Sequence, residues 1–455
     1  MAENINHNDW LLSIQNPELE NGKSKTKFPK VPEKLKRVEG NSIFYDPQVV
    51  SIGPYHHGNA RLEEMEKLKR KIAKMLVSER RMLEGQTQTS TQVSTGDIDN
   101  LYQNVKMKAT GVKKSYDESL LPEKFTDDEE FNHAIFLDGC FVVYFIHCVT
   151  HNKLKNWEVK NEDLLSIGTD LFLLENQLPY FFLDELMKEA FPKDAQDGIF
   201  DKFIDKLICF GSSGRQKHQK NDKFIEHLLD LFRKKLVVDE GDKYQSRFDF
   251  KYLLVYFWDC FPAAHNTDEE HILWHSIRSA DELKEVGINF KKSKSFNLNS
   301  IRFQRGLIFG DLTLPPIVID HSTRPLFLNL LAYEITSLQG DSKVASFICF
   351  LDSLIDQASD VRVLRSDGVL LNSLSKDEEA AELINHLAME VVDSNDFSHV
   401  TKDLKMYIQH YWRVRFAEIY RKHFSTPWTM IAFFGAIFIT ILTIIQTYFA
   451  IFPRN

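Results

Sequence analysis

Two adjacent histidines in a short loop are the first residues of this 455-residue sequence whose side chains could carry out chemistry. His56 and His57 follow Gly53 and Pro54 and precede Gly58, which indicates a loop after a short extended run. Neighbouring side chains rarely converge on one metal ion, and no third ligand is close in the sequence. We therefore interpret both residues as structural loop histidines.

A second histidine pair has the spacing of a helical face. His271 and His275 stand at i, i+4, and Glu270 lies beside them. This spacing can place two imidazoles on one side of a helix. Two ligands alone are a weak signal for a metal ion, so we assign no metal site to this pair.

Three aspartates repeat the same spacing further along the chain. Asp352, Asp356 and Asp360 recur at i, i+4. Calcium needs oxygen atoms that converge from a loop, and a straight helix does not present them in that way. The pattern therefore predicts an acidic, solvent-facing side of a helix.

Three consecutive polar residues interrupt an apolar block. Glu175, Asn176 and Gln177 lie between LFLL and LPYFFL. Burying such side chains without partners is costly, so they must bond their neighbours or line a cavity. A polar network that holds two helices together is one interpretation, and a ligand site that includes His56 and His57 is the other.

The sequence contains none of the common catalytic or nucleotide-binding motifs. There is no G-x-S-x-G, no H-E-x-x-H, no phosphate-binding loop, no G-x-G-x-x-G and no EF-hand loop. We therefore assign no catalytic residue, no metal ligand and no cofactor from the sequence. An enzyme remains the alternative hypothesis, with an unrecognised site near the SIGPYHHG and LENQLP segments.

Helical periodicity dominates the segments that must position these residues. An amphipathic helix is predicted from about Ala60, and a helix from Phe131 to Val149 is apolar on nearly every side. Asp138 and two histidines interrupt the second helix, so we interpret it as a buried core helix and not a membrane span. An apolar block broken by Pro179 follows. Further helices are predicted near Phe224–Leu236, Thr267–Val286, Arg324–Asp356, Lys376–Val392 and Leu404–Phe424.

Short β-branched and aromatic runs between residues 288 and 320 predict a small antiparallel sheet. The predicted fold is thus mainly α: a large helical globular body with a small antiparallel β element. We expect a polar flexible tail over residues 1–27, a helical domain over 28–425 with a possible boundary at 211–222, and a transmembrane helix over 428–452. A Thr/Gln/Ser-rich loop is predicted from Gly85 to Asp97.

The C-terminal run predicts one transmembrane helix. No charged residue lies between Trp428 and Phe452. At about 1.5 Å per residue this run spans about 37 Å, enough for a hydrocarbon core of about 30 Å. Pro427 suits the first helical position. The predicted membrane-anchor residues are Pro427, Trp428, Phe433, Phe434, Ile437, Ile441, Ile444 and Tyr448.

Flanking charge predicts the orientation of this anchor. Arg413, Arg415, Arg421 and Lys422 precede the run, and Arg454 alone follows it. Positive residues stay on the cytoplasmic side, so the body should face the cytosol. We expect insertion after translation, because the anchor would leave the ribosome last. Neither the plasma membrane nor an endomembrane is favoured.

Composition limits the partners and the compartment. The net charge of −9 argues against nucleic acid as the main partner. Five scattered cysteines without a C-x-x-C pair, and a polar start without a signal peptide, suit a reducing compartment. The basic stretch from Lys23 to Arg37 is either a solvated tail or a segment attracted to anionic lipid.

Several ordered segments resemble one plant family, known as domain of unknown function 247. They are VPEKLKRVEGNSIFYDPQVVSIGPYHHG, LEEMEKLKR, LDGCFVVYF, LLENQLPYF, GINFKK, LIDQASDVRVL and the FSTPW that precedes the apolar run. The resemblance extends from about Phe28 to Phe452. Two departures are the loop at 85–97, which looks like an insertion, and Phe28, where the family usually has Tyr.

The resemblance implies a plant protein with a mostly helical body and a single-pass C-terminal anchor. It provides no catalytic residues. Some relatives are implicated in pollen–stigma self-incompatibility in grasses, which suggests recognition or signalling. We expect a membrane-tethered protein that contacts lipid through its last helix and an unknown protein partner through its body.

Overall fold

The computed structural model describes residues 28–38, 40–85, 94–154, 157, 159–208, 224–237, 279–306, 309–337, 342–389, 391, 396–408 and 427–451. The described part is mainly helical. Its first nine helices are α1 Glu33–Lys36, α2 Glu63–Leu83, α3 Thr95–Lys108, α4 Asp128–Thr150, α5 Asn161–Asp170, α6 Tyr180–Ala190, α7 Pro192–Gln196, α8 Ile199–Ile208 and α9 Leu228–Val237. The later helices are α10 Ala280–Glu285, α11 Thr323–Thr336, α12 Lys343–Leu354, α13 Ala358–Ser366, α14 Asp377–Ala388, α15 Ser398–Ile408 and α16 Pro427–Ile451.

The chain divides into two compact units. The first comprises residues 1–237 and 321–344, and the second comprises residues 238–320 and 345–455. The boundary predicted at 211–222 and the tail predicted at 1–27 lie outside the described residues.

Helix α4 forms the centre of the first unit. It begins with three acidic residues, which suit the positive end of a helix, and the Asp127 side chain caps it by accepting from the Glu129 N–H. It packs against α2, α6 and α8. By length and composition α4 could cross a membrane, but 72% of its apolar window is buried inside the protein. The interpretation as a buried core helix is therefore confirmed.

A glycine sets the close approach of α4 and α6. A Cβ atom on Gly139 would lie 2.5 Å from Cε1 of Phe182 and 2.9 Å from Cδ2 of Leu186. These separations are well inside van der Waals contact, so only glycine allows the two helices to pack this tightly. Phe182 and Leu186 are themselves buried.

The second unit contains two small sheets. Its strands are β1 Ile288–Lys292, β2 Arg302–Gln304, β3 Gly310–Leu314, β4 Ile317–Ile319 and β5 Leu370–Asn372. The first sheet has the order β1–β3–β2, with β1 parallel and β2 antiparallel to β3; Ile288 pairs with Gly310, and Phe303 pairs with Leu312. The second sheet pairs β4 with β5 in parallel.

The predicted antiparallel pairing is confirmed for β2 with β3 and is wrong for β1 with β3 and for β4 with β5. Strand β1 lies parallel to β3 because the connection between them, which includes β2, carries the chain back before β3 starts. Strand β4 takes a partner about fifty residues later, from beyond three helices. Local β-propensity locates strands, but it carries no information about a partner so distant in sequence.

The acidic helix face predicted for Asp352, Asp356 and Asp360 is also wrong. Helix α12 ends at Leu354, α13 begins at Ala358, and Asp356 lies between them. Asp360 is fully buried; its carboxylate accepts from the backbone N–H groups of Asp281 at 2.8 Å and Gln357 at 3.0 Å. An aspartate at this position caps the start of a helix and has no need of solvent.

Two further sequence expectations require correction. In the stretch from Lys23 to Arg37, the described side chains of Phe28, Val31 and Leu35 are buried, so this part is not a solvated tail. The loop predicted from Gly85 to Asp97 is shorter at its end, because α3 begins at Thr95 with Ser94 as its cap. Residues 86–93 lie outside the described part.

Helix α16 is the last element of the second unit. Its 25 residues begin at Pro427, as predicted, and its described side chains form an apolar stretch from Gly435 to Thr447. Of the predicted anchor residues, Phe433, Ile437, Ile441 and Ile444 are exposed. The other four predicted anchor residues, Pro427, Trp428, Phe434 and Tyr448, belong to the same helix.

Candidate functional site

The N-terminal segment, residues 28–62, has little regular secondary structure. It contains only α1 and two short 3-10 turns, at Ser42–Phe44 and Ala60–Leu62. Its central part is nevertheless buried: Tyr45 and Val50 are fully covered, and Ile52 is 2% exposed. Buried backbone N–H and C=O groups need partners, and a segment without a ladder must find them in side chains. The candidate site consists of the side chains that supply those partners.

Asp170, at the end of α5, binds three consecutive backbone N–H groups of this segment. Its carboxylate accepts from Gln48 at 3.0 Å, from Val49 at 2.8 Å and from Val50 at 2.9 Å. The residue is 1% exposed. One buried carboxylate thus replaces the carbonyl acceptors that a neighbouring strand would provide.

Asn176 continues the same pattern two residues further along the segment. Its Oδ1 accepts from the Ile52 N–H at 2.6 Å, and its Nδ2 donates to the carbonyls of Val50 at 3.0 Å and Asp170 at 2.9 Å. Both functional ends of the amide are therefore occupied by backbone groups. Asn176 is a positioning residue for the segment.

A buried ion pair fixes the next residues. Lys69 of α2 is fully buried, and its ammonium lies 2.6 Å from Oδ1 of Asp138 in the centre of α4. Lys69 also donates to the Ser51 carbonyl and to Glu66, and Oδ2 of Asp138 accepts from the Gly53 N–H at 2.8 Å. Burial raises the pKa of Asp138, and attraction to the Lys69 ammonium opposes that rise. The polar interruption of α4 is thus fully satisfied by its neighbours.

Gly53 permits the sharp change of direction after this contact. Its φ of +78° lies in the left-handed region, and a Cβ atom there would be 2.7 Å from the Gln177 carbonyl oxygen. The same carbonyl accepts from the Tyr116 hydroxyl at 2.9 Å. A side chain at position 53 would meet both the strained backbone and this carbonyl.

Glu175 holds the start of the N-terminal segment. Its Oε1 accepts from the Val31 N–H at 2.8 Å and from the Lys36 ammonium at 2.8 Å. Its Oε2 lies 3.8 Å from Nε2 of His56. Although Glu175 and His56 approach each other, the carboxylate is already bound to backbone and to lysine.

The side chain of Gln177 bonds to residues in and between the helices and not to the N-terminal segment. Its Nε2 donates to the carbonyls of Leu171 and Leu173, both at 2.8 Å, and its Oε1 accepts from the Leu229 N–H at 3.3 Å. These bonds fix the turn between α5 and α6 and contact the first turn of α9. The network anticipated for residues 175–177 therefore exists, with mostly backbone partners.

The two loop histidines, His56 and His57, make the fewest hydrogen bonds of the five residues predicted for this site. Burial lowers the pKa of His56, against the opposing effect of Glu175, and burial lowers the pKa of His57 to about 4. The His57 ring packs against Phe125 at 5.1 Å between ring centroids. Within the described part of the chain, Nε2 of His56 and Nδ1 of His57 have no hydrogen-bond partner. Both imidazoles are neutral at neutral pH.

These side chains hold the backbone of the N-terminal segment in place, and few of their polar atoms are free to bind or react with a ligand. Of the five predicted residues, Glu175, Asn176 and Gln177 are occupied by structural bonds, and only His56 and His57 keep an unbonded ring nitrogen. An open depression of about 490 Å³ lies elsewhere, lined by Thr110, Gly111, Lys114, Ser115 and Phe181. The geometry therefore fits a positioning role for this cluster better than a catalytic one.

A second cluster was not singled out by the sequence. His147 and His151 stand one turn apart at the end of α4, and Asp194 of α7 lies between their rings. The HCVTH spacing was the available signal, but the third residue comes from a separate helix 43 residues later. The pair that the sequence did single out, His271 and His275 with Glu270, lies outside the described residues.

The fold and the first cluster define a class of protein: a mainly α-helical body whose irregular N-terminal segment is fixed by buried carboxylate, amide and ammonium groups. The chain belongs to the family DUF247, described as plant protein of unknown function, whose sequence profile matches residues 29–442. The expected family membership is confirmed.

Two curated relatives come from Arabidopsis thaliana. The UPF0481 protein At3g47200 is 28% identical over 449 residues, covering 94% of this chain and 87% of the relative. The putative UPF0481 protein At3g02645 is 21% identical over 485 residues, covering 90% and 87%. No solved structure matches the chain.

Proposed function

We propose that this protein is a membrane-tethered interaction protein of plants, held in a bilayer by α16 and binding another protein through its helical body. The body faces the cytosol in this proposal. Membrane attachment raises the local concentration of a second membrane-bound partner and so favours weak, specific contacts.

The observation that carries the proposal is the exposure of α16. Ile431, Phe438, Ile439 and Ile444 are each more than 60% exposed, and no charged side chain interrupts the helix. Removing one such side chain from water is worth about 1.5–3 kcal/mol. A helix with this much exposed apolar surface is stabilised when lipid or protein shields it from water. Its length of about 37 Å is enough to cross the hydrocarbon core of a bilayer.

Three threonine hydroxyls of α16 are compatible with a bilayer. The hydroxyls of Thr440, Thr443 and Thr447 each donate at 2.8 Å to the carbonyl four residues earlier in the same helix. These bonds satisfy the hydroxyls without water, which is what a hydrocarbon environment requires. The family match also extends to residue 442, well into this helix.

Two considerations favour an interaction role for the body. The buried polar residues that hold the N-terminal segment, Asp170 and Asn176, are bound to its backbone and are not arranged around a substrate. That segment is in turn held rigid, which suits a surface that must present a fixed shape to a partner. The family description names no activity.

Membrane insertion is tested by alkaline carbonate extraction of the full chain from plant membranes. We expect the chain to stay in the membrane pellet and a chain lacking residues 427–455 to be released. Ile439→Lys, at the middle of α16, should weaken retention by about 2.5–3.5 kcal/mol, whereas Ile439→Leu should not. Release of the full chain by carbonate would overturn the tether.

Orientation and interaction need separate measurements. A protease added to sealed membranes should digest an N-terminal tag, and protection of the tag would overturn the cytosolic orientation. A proximity-labelling enzyme at the N-terminus of the full chain should label certain neighbouring proteins. A control fusion, in which an unrelated soluble protein replaces the body and is joined to α16, should not label them. Identical labelling by the two would overturn the interaction role of the body and leave the tether standing.

A further inference from the structure

Two histidines and an aspartate converge at the C-terminal end of α4. The imidazole centroids of His147 and His151 are 4.5 Å apart. Between them, Oδ2 of Asp194 lies 2.6 Å from Nδ1 of His147, and Oδ1 lies 3.0 Å from Nε2 of His151. One ligand atom from each residue lies within 4.8 Å of the other two.

These donor atoms form a familiar set for a first-row divalent cation. Imidazole nitrogen and carboxylate oxygen bind Zn²⁺ at about 2.0–2.2 Å, which places neighbouring ligands of a tetrahedral site about 3.4 Å apart. The present separations of 2.6 and 3.0 Å are shorter than that spacing, so the side chains must move apart by less than about 1 Å to hold the ion. The side chain of His151 is 42% exposed, so it can adjust, whereas Asp194 is 14% exposed.

The surroundings of His147 hold its ring in one orientation. Phe191 stacks on the imidazole with centroids 4.1 Å apart and an interplanar angle of 11°. The second ring nitrogen, Nε2, lies 3.2 Å from Oε1 of Glu79. Histidine ligands of metal ions usually donate their other N–H to a carboxylate, which fixes the tautomer and the ring. Lys153 pairs with Glu79 and partly balances its charge.

We propose that His147, His151 and Asp194 bind one Zn²⁺ ion, with Glu79 as a positioning residue and with the fourth coordination position open to solvent. The ion joins the end of α4 to α7. It takes the position of the hydrogens that now link Asp194 to the two rings. This site is separate from the N-terminal segment and from α16, so it stands independently of the proposed tether.

Zinc titration of the full chain in detergent, after removal of metals by a chelator, tests the proposal. We expect one saturable site per chain that is lost in His151→Ala, a variant chosen because this side chain is half-exposed and its loss should not unfold α4. Glu79→Gln should weaken binding by about 10–100-fold. Zinc should also raise the midpoint of thermal unfolding of the native chain, and this rise should vanish in His151→Ala.

The chain contains 16 histidines, so matched controls decide where the ion binds. His271→Ala removes the other pair with i, i+4 spacing, and His133→Ala removes an exposed histidine of α4 itself. Both should leave the site intact. Bound Co²⁺ should give visible d–d absorption that disappears in Asp194→Asn. The proposal would be overturned if no saturable zinc binding were found, or if binding survived His151→Ala. The role of the cluster would then be the contact of Asp194 with the two histidine rings.

Discussion

The two most apolar helices of this protein, α4 and α16, have similar lengths of 23 and 25 residues but opposite surroundings. Phe141 and Val143 of α4 are fully buried in the body, whereas Phe438 and Ile439 of α16 are exposed. Helix α4 also carries Asp138 and His147, each bound to specific partners. Length and apolar composition are therefore shared by the core helix α4 and by α16, the proposed membrane anchor, and α4 alone of the two carries paired ionisable residues.

A lysine at the middle of each helix gives the largest expected contrast. Val143→Lys places an unpaired charge on the buried side of α4. It should lower the free energy of unfolding by more than about 4 kcal/mol and abolish the cooperative unfolding of the body. Ile439→Lys should leave the urea midpoint of the body unchanged and reduce membrane retention. If Ile439→Lys destabilises the body as well, α16 packs on protein and the contrast between the helices fails.

The ion pair between α2 and α4 gives the next largest effect. Asp138→Ala leaves the Lys69 ammonium buried with only the partly exposed Glu66 as a carboxylate partner among the described residues, and should lower the free energy of unfolding by about 3–5 kcal/mol. Combining it with Lys69→Met removes the orphaned charge and should recover part of the loss. Urea denaturation of the single and double variants measures this coupling, and strictly additive losses would show that the pair does not act as a unit.

Acid sensitivity should separate the body from the anchor. Burial lowers the pKa of His227 to about 4, and its Nδ1 accepts from the Asp230 N–H at 3.1 Å. Between pH 6.5 and 4 the unfolded chain protonates this histidine and the folded chain does not, so the contribution of His227 to stability falls as the pH falls, by about 3 kcal/mol. His227→Asn keeps the helix cap and should remove this part of the pH dependence. Membrane retention by α16, which has no acidic or basic residue, should not change over the same range.

A glycine in each helix provides the smallest and best-matched comparison. Gly139→Ala in α4 introduces a Cβ 2.5 Å from Phe182 and should cost about 1–3 kcal/mol. Gly435→Ala in α16 meets nothing within 4 Å and should leave the body unaffected. Thermal unfolding of both variants in detergent compares them. Equal destabilisation would mean that α16 is as tightly packed as α4.

The sequence predicted several of the helices because their apolar spacing is local. The amphipathic helix after Ala60 and the core helix around Asp138 are present as α2 and α4. The parallel strand pairing, the contact of Asp360 with Asp281 and the partners of Asn176 could not be predicted, because each depends on residues far apart in the chain. Polar type at position 176 predicted a buried network, but only the fold shows that its partners are the backbone groups of Val50 and Ile52.

The separation between the N-terminal segment and its partners has a consequence for synthesis. The Ile52 N–H binds a side chain 124 residues later, and the Gly53 N–H binds one 85 residues later. At about 5–20 residues per second, the ribosome needs roughly 6–25 s to make Asn176 after Ile52 has been added. During that interval the N-terminal segment has apolar residues, but the side chains that bind its backbone in the folded protein have not all been made. The segment is therefore made early but is among the last parts to take its native place, and it is a part that a chaperone would meet exposed on the nascent chain.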